Sequence, residues 1–447
     1  MLQLGIRGLG IARFKFNPIS WFLKGEQGAW YDPSDLTTLF QDSAGTTPVT
    51  AVEQPVGLMK DKSGRGNHAF QATAGNRPVL SARVNLLTKT EDFSDAVWTK
   101  TGSTISNSTI DTPEGTQLTA KLIGNNTSTT CYTTQFYTSI GTAYTCTIYA
   151  KAANTPRVSI WEGNSSAFYS TFDLISGTVV ANSGATGSIS SIGNGWFKCS
   201  MTSTQTSGTR GFYTVLIGAL GTGPFATGFS GDGVSGIYIW HPDLRPTNSG
   251  ALLPPYQRVN TESDYDTVGF PLYLKANGTS SAMSTNSIDF TGTDKMTVVT
   301  GVRKLSDATA AILFELSVVS PNNKGFYVAA PQANLTANYS YLSAGTIAYE
   351  AIASPFVAPT PNVVTGQSSI STPSSTIRVN SNQAAISSST LGTGNFGNSP
   401  LYLFARAGIS LYLNGQFYGA IIRGAQSDTA SVTQTENYMA TKTGITF

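Results

Sequence analysis

Along most of the chain hydrophobic positions recur in twos. In residues 144–151, 158–161, 196–201 and 237–240 apolar and polar side chains alternate, the period of a strand with one face turned to a core. Cys146, Ile148 and Ala150 then share one face, as do Phe197, Cys199 and Met201, and both faces are expected to point inward. The alternate positions carry Thr, Lys and several aromatic rings. Gly, Asn and Ser interrupt these strands at short intervals, which over residues 85–245 predicts an antiparallel sandwich. The pattern resumes after about Pro254, in 287–290, 296–302, 311–316, 401–404 and 419–423. Residues 354–400 are rich in Ser, Thr, Asn and Pro and read as long surface loops around a strand-like 376–379.

One helix is expected, near the end. Ser427 and Asp428 can cap it, Val432 and Met439 lie seven apart on one side, Lys442 suits the last turn and Gly444 can end it. The fold class is therefore all-β: two antiparallel β-sandwich (jelly-roll) modules with a short C-terminal helix. At 447 residues each module can bury its own core without disulfides.

Residues 1–27 fit no single period. They mix apolar groups, among them Phe14, Phe16, Trp21 and Phe22, with Arg7, Arg13, Lys15 and Lys24. Such an arm can dock on a partner surface with its arginines on acidic groups, or pack on its own domain. Residues 30–80 are short apolar pieces separated by turn chemistry, and the loop 61–67 has the Gly and Asn/Asp density of positive-φ backbone. With its Lys and Arg such a loop can cradle phosphate, but no strand-to-helix step follows it to support that use.

Composition narrows the functions available. Only 12% of residues are charged, and 27 basic against 25 acidic side chains give a net charge of +2, which excludes a polybasic nucleic-acid binder. Three cysteines, Cys131, Cys146 and Cys199, have no metal or redox spacing and read as small buried apolar residues. No apolar run reaches the length of a membrane span, and no signal peptide is expected at the N-terminus. No cofactor or metal is expected, because the spaced acidic loop of a calcium site is missing.

Acid–base chemistry has few candidates. The two histidines, His68 and His241, sit in turn-like surroundings with no neighbouring nucleophile, and no GxSxG elbow occurs. Asp32 with Asp35, or Glu262 with Asp264 and Asp266, are the carboxylate pairs that glycoside hydrolysis would need. The second group lies beside Pro254-Pro255 in a linker-like stretch, where acidic residues are ordinarily just solvated.

A resemblance sharpens the picture. Asn85-Leu-Leu-Thr-Lys-Thr-Glu-Asp-Phe93 through Trp98, then Asp111-Thr-Pro-Glu-Gly115, Tyr149-Ala-Lys151, Phe172-Asp-Leu-Ile-Ser-Gly-Thr178, Gly193-Asn-Gly-Trp-Phe-Lys-Cys-Ser200 and Gly231 through Trp240 occur in that order. Together they resemble a module of tailed-bacteriophage structural proteins, the phage head spike or fibre module, a jelly roll similar to carbohydrate-binding modules. The flanks resemble a concanavalin A-like, laminin G-like sandwich of phage fibre proteins. Trp30-Tyr-Asp-Pro-Ser-Asp35 and Asp61 through His68 match its opening, while Thr293 through Val298, Asn414 through Tyr418, Ile422 through Ser427 and the terminal helix match its body and end. Leu272 through Gly278 departs from that pattern. The resemblance implies residues 84–246 as a jelly roll inserted into a discontinuous sandwich of 28–81 plus 255–447, with 1–27 as a virion-docking arm.

It also implies a non-enzymatic virion surface protein of the tail fibre or baseplate, attached to other virion structural proteins, assembled as a homo-oligomer such as a trimer, and bound to host cell-surface polysaccharide. A capsid spike or decoration protein is the nearest alternative and a polysaccharide depolymerase the second, although no β-helix repeat is visible. Sugar-binding sandwiches stack flat rings against the apolar face of a pyranose. Tyr149, Trp161, Tyr238 and Trp240 are the candidates on alternation, with a core or interface role as the other reading; Trp98 and Trp196 belong to the family pattern, which implies packing.

Overall fold

The computed structural model describes residues 16–447 apart from 127, 164–166, 251, 318–322 and 335–336. Among the described residues the regular structure is nearly all antiparallel strand, with one α-helix, Thr429–Thr443, at its end.

Two large sheets use strands from both ends of the sequence. The first runs Asn382–Ser387, Ser374–Val379, Pro361–Ser369, Lys295–Lys304, Asn414–Arg423, Tyr273–Asn277 and Val79–Ser81, and Gly28–Tyr31 also pairs with Asn414–Arg423. Ala29 lies opposite Ile422, so the start and end of the chain are hydrogen-bonded neighbours. The facing sheet begins with Leu39–Phe40, Leu58–Met59 and Ala69–Phe70, continues through Met283–Asp289, Asn398–Leu403 and Ile312–Leu316, and ends at Ala348–Pro355. Met296, Val298, Val302, Phe314, Tyr341, Phe417 and Ile422 fill the space between them.

The first sheet is buried on its other face as well. Val299, Val363 and Ile421 meet Met439 and Ala440 of the helix, with Trp21, Phe22 and Trp30 in the same cluster. A helix over one face turns the alternating pattern of Lys295–Lys304 and Asn414–Arg423 into nearly unbroken burial. The helix ends where its sequence says: the Asp428 side chain accepts from Ser431 N at 2.8 Å, and Gly444 takes φ 74° to close the C-terminus.

Residues 99–246 make two six-stranded sheets that pair only within themselves. One holds Ala185–Gly193, Trp196–Thr204, Ala143–Ala152, Gly236–Pro246, Gly115–Gly124 and Ser103–Thr112; the other holds Thr178–Ser183, Tyr169–Asp173, Arg157–Glu162, Ser207–Ile217, Tyr132–Ile140 and Thr99–Thr101. Cys146, Ile148, Ala150, Cys199 and Met201 are fully buried between them, with Phe197 packed at the margin. Cys131 joins the same core, so all three cysteines are buried free thiols. Trp98 packs there beside Phe93 and Phe212, its Nε1 donating to Lys89 O at 2.9 Å.

Two buried amides lace the chain where it enters and leaves this central sandwich. Gln257 Oε1 accepts from Val84 N at 2.7 Å and Asn85 N at 3.0 Å, and its Nε2 donates to Ala82 O and Asp266 O, both at 2.9 Å. Asn85 returns the pattern, donating to Pro242 O and Gln257 O and accepting from Leu87 N and Leu244 N. Irregular backbone can be buried here because these side chains satisfy it.

Candidate functional site

The solvent side of the central sandwich carries a row of aromatic rings. Strand pairing sets Trp161 opposite Tyr213, Tyr213 opposite Thr134 and Gly211 opposite Phe136, so Trp161, Tyr213, Tyr132 and Phe136 emerge on one face. Trp161 and Tyr213 stack at 4.0 Å with planes 24° apart, and Tyr132 meets Tyr213 edge-on at 5.2 Å. Phe225 stands against Trp161 at 5.0 Å and Phe136 against Tyr213 at 6.2 Å, both edge-on. Tyr213 is only 7% exposed while Phe136 and Phe225 are 52% and 60% exposed, so a buried ring underlies an accessible apolar ridge.

Glycine makes this geometry possible. A Cβ on Gly211 would lie 2.3 Å from the Tyr213 ring, so the ring lies flat along the sheet only because residue 211 has no side chain. Phe225 comes from the loop 218–229, which is pinned to the same face. Arg157 ion-pairs with Asp173 at 2.9 Å and donates to Gly221 O at 3.0 Å, Thr171 donates to Thr222 O at 3.0 Å, and Thr227 donates to Thr129 O at 2.8 Å. Burial raises the Asp173 carboxyl, but hydrogen bonds from Ser176 N, Arg157 and Ile175 N outweigh it and hold the group at about 2. A flat apolar ridge flanked by hydroxyls and a fixed loop suits the ring face of a saccharide.

Of the four rings expected to bind, Trp161 stands in this row. Tyr149 and Trp240 do not: they are 7% and 4% exposed, clustered with Trp196, Ile110 and Ile192. The alternation argument fails for them because the tip of the Ser103–Thr112 hairpin folds over that face, where Trp196 Nε1 donates to Asp111 O at 2.9 Å. Tyr238 is half-buried at the edge of the same cluster, with Lys121 Nζ 6.0 Å from its ring centre. Tyr132, Phe136, Tyr213 and Phe225 were not expected. The spacing of Tyr132 and Phe136 puts both on one strand face, but only pairing shows Tyr213 between them.

The arm expected to dock on a virion divides. Arg7, Arg13 and Phe14 lie outside the described residues. Phe16, Trp21 and Phe22 pack on the chain's own sandwich instead of projecting, with Phe16 5.8 Å from the Tyr438 ring and 6.3 Å from Trp21. Glu26 holds Arg423 through two 2.8 Å hydrogen bonds, and Arg65 donates to Leu23 O at 2.6 Å. The reason is the helix, which leaves a groove beside Trp30 that these rings fill.

Apart from Glu262, which is exposed and lies 3.6 Å from Arg83, the groups weighed for catalysis are held in structural bonds. Burial raises the Asp32 carboxyl, yet Lys442 at 2.9 Å, Ser34 and Lys62 outweigh it and keep it below the ordinary range. Asp35 shares Lys62 at 2.6 Å. Asp264 and Asp266 both grip Arg258, at 3.2 and 3.1 Å. His241 stacks between Trp240 at 3.5 Å and Tyr256 at 3.8 Å, and burial lowers it to about 3. His68 Nδ1 accepts from Asp61 N at 3.0 Å. In the glycine-rich loop the Asp61 carboxylate already takes the amides of Trp30, Ser63 and Asn67, which occupies the donors a phosphate would use.

No family model matches the chain, and no curated protein matches it either. Solved structures with partial likeness include the CBM40 of the Ruminococcus gnavus IT-sialidase bound to α2,3-sialyllactose, 10% identical, covering 34% of this chain and 97% of that one with a TM-score of 0.27. The botulinum neurotoxin type G receptor-binding domain is 9% identical over 38% of this chain and 42% of its own, with a TM-score of 0.29. The NanB sialidase of Streptococcus pneumoniae, as its K499G mutant, is 16% identical over 36% of this chain and 27% of its own, with a TM-score of 0.27.

Proposed function

We propose that this protein is a glycan-binding attachment protein that holds surface saccharides without cleaving them, on the row formed by Trp161, Tyr213, Phe225 and Phe136. The contiguous aromatic face on the solvent side of the central sandwich carries this reading. Exposed apolar rings in one patch are uncommon on a surface with no partner to cover them. Asp32, Asp35, Asp264 and Asp266, the carboxylates a hydrolase would free for catalysis, are tied to lysine and arginine. That pairing favours binding over the depolymerase reading.

Placement on a phage tail fibre or baseplate rests on the ordered run of motifs between Asn85 and Trp240 and on the sandwich signature around it. A multimer, a trimer on the same resemblance, suits the chemistry. Each stacking ring contributes on the order of 1 kcal/mol, so one site binds weakly and several copies together bind usefully.

The test is binding of the purified assembly to intact bacterial cells and to a glycan array. Trp161→Ala is expected to weaken each site roughly five-fold, the equivalent of about 1 kcal/mol, and to weaken the multimer more. Binding untouched by Trp161→Ala and by Phe225→Ala discards the site. Antibody labelling of particles distinguishes tail from capsid, and particles without the chain remove the virion reading.

A further inference from the structure

The strand Ser103–Thr112 is one edge of its six-stranded sheet and is paired there only with Gly115–Gly124. Its ladder runs without a register shift from Ser103 opposite Gly124 to Thr112 opposite Gly115. Before Asp111 it carries no charge and no proline, and Thr104, Ser106, Asn107 and Thr109 are exposed. Among the described residues the only other strand close along it is Thr99–Thr101, at its start. At the far end Asp111 O and Thr112 O are taken by Trp196 Nε1 and Asn194 Nδ2, so the open stretch is 104–110.

Proteins ordinarily guard a sheet edge with a bulge, a charge, a proline or a very short strand. Other edges of this chain follow that rule. Thr178–Ser183 and Ala185–Gly193, on the opposite side of the same sandwich, are each bulged against their neighbour. Ala348–Pro355 has a bulge, Glu350 and a closing proline, and Val79–Ser81 is three residues long. Residues 104–110 have none of these guards. Their backbone is also aimed outward in a fixed pattern. Gly102 O accepts from Asn125 N at 2.8 Å, which in this register makes the even-numbered residues the ones bonded to Gly115–Gly124. The N–H and C=O groups of Ile105, Asn107 and Thr109 therefore point to the open side.

The occupant is indicated by the sequence of the edge itself. Thr104-Ile-Ser-Asn-Ser-Thr-Ile110 reads nearly the same in both directions about Asn107. We propose that this edge pairs antiparallel with the same edge of a second copy of the chain, about a two-fold axis at Asn107, joining two six-stranded sheets into one. In that register Ile105 lies opposite Thr109, Thr104 opposite Ile110 and Ser106 opposite Ser108, so β-branched side chains meet and no like charges are opposed. Ile105, Asn107 and Thr109 of each copy then donate and accept across the join. An isologous contact of this kind closes at two copies, so it is separate from any three-fold contact. Two copies joined in this way carry two aromatic faces on one body, the multivalency that weak stacking needs. That consequence rests on the glycan reading above, whereas the pairing does not.

The experiment is sedimentation equilibrium of the full chain at micromolar concentration, as wild type, as Asn107→Lys, as Asn107→Glu and as an equimolar mixture of the two variants. Asn107 is exposed and its N–H points away from Gly115–Gly124, so both variants should keep the wild-type circular-dichroism melt. The wild type is expected to associate. Each variant alone sets like charges against each other at the axis and should weaken association about ten-fold or more. The mixture sets Lys against Glu and should restore it. Trp161→Ala should associate as the wild type does. A monomeric wild type overturns the proposal, and so does association indifferent to both variants, which places the contact elsewhere. Association lost in both variants and not restored in the mixture also overturns it, because the edge then meets a different segment. Charge-swap rescue, with cell attachment indifferent to Trp161→Ala and Phe225→Ala, keeps the pairing and discards the aromatic site.

Discussion

Gln257→Ala tests how the chain is tied where it passes between the two sandwiches. The side chain is fully buried and makes four neutral hydrogen bonds, to Val84 N, Asn85 N, Ala82 O and Asp266 O. Alanine removes all four and leaves two N–H groups and two carbonyls facing a small void. A typical neutral hydrogen bond contributes about 1 kcal/mol net, and a buried polar group left alone costs about 1–3 kcal/mol. Water entering the void recovers part of this, so the expected loss is about 3–5 kcal/mol. Urea unfolding followed by tryptophan fluorescence measures it as a shift in midpoint at constant slope. Gln257→Glu keeps the acceptor but sets a second carboxylate oxygen against Ala82 O and Asp266 O, so at neutral pH it should be no better than alanine. A loss below about 1 kcal/mol for Gln257→Ala would refute the claim that these bonds hold the junction.

Gly211→Ala should expel the Tyr213 ring, which stands 2.3 Å from the new methyl group, and weaken saccharide binding although no aromatic ring is deleted; unchanged binding on a glycan array contradicts the geometry. His241 is neutral in the folded chain because burial lowers it to about 3 from the ordinary 6.5. A base with a depressed folded value contributes stability that is full above about pH 6.5 and is lost as pH falls toward 3, on the order of several kcal/mol in all. His241→Asn, which tolerates the φ of 46° at this position, should flatten that limb of a melting-temperature profile, and an unaltered profile counts against it. Residues 84–246, whose strands pair only among themselves, are expected to fold as a separate piece with one cooperative melt; an unstructured circular-dichroism spectrum would show that the outer sandwich is needed.

Local physics was legible in the sequence. Period-two alternation sufficed to orient Cys146, Ile148, Ala150, Cys199 and Met201, because a strand's side chains have only two directions to take. Asp428 and Gly444 bounded the helix because capping depends on one acceptor and one left-handed residue. Alternation cannot say what covers the second face. Tyr149 and Trp240 point away from the main core as expected, and a folded-over hairpin buries them; Trp161 points the same way in the opposite sheet and keeps an accessible edge. Long-range placement decided the rest. Tyr213 joins Trp161 only through strand register, Phe225 only through a loop pinned by Arg157, and Phe16, Trp21 and Phe22 fill a groove made by a helix at the other end of the chain. Composition and period fix which way a side chain points, while exposure depends on what packs over it, and that is a property of segments hundreds of residues apart.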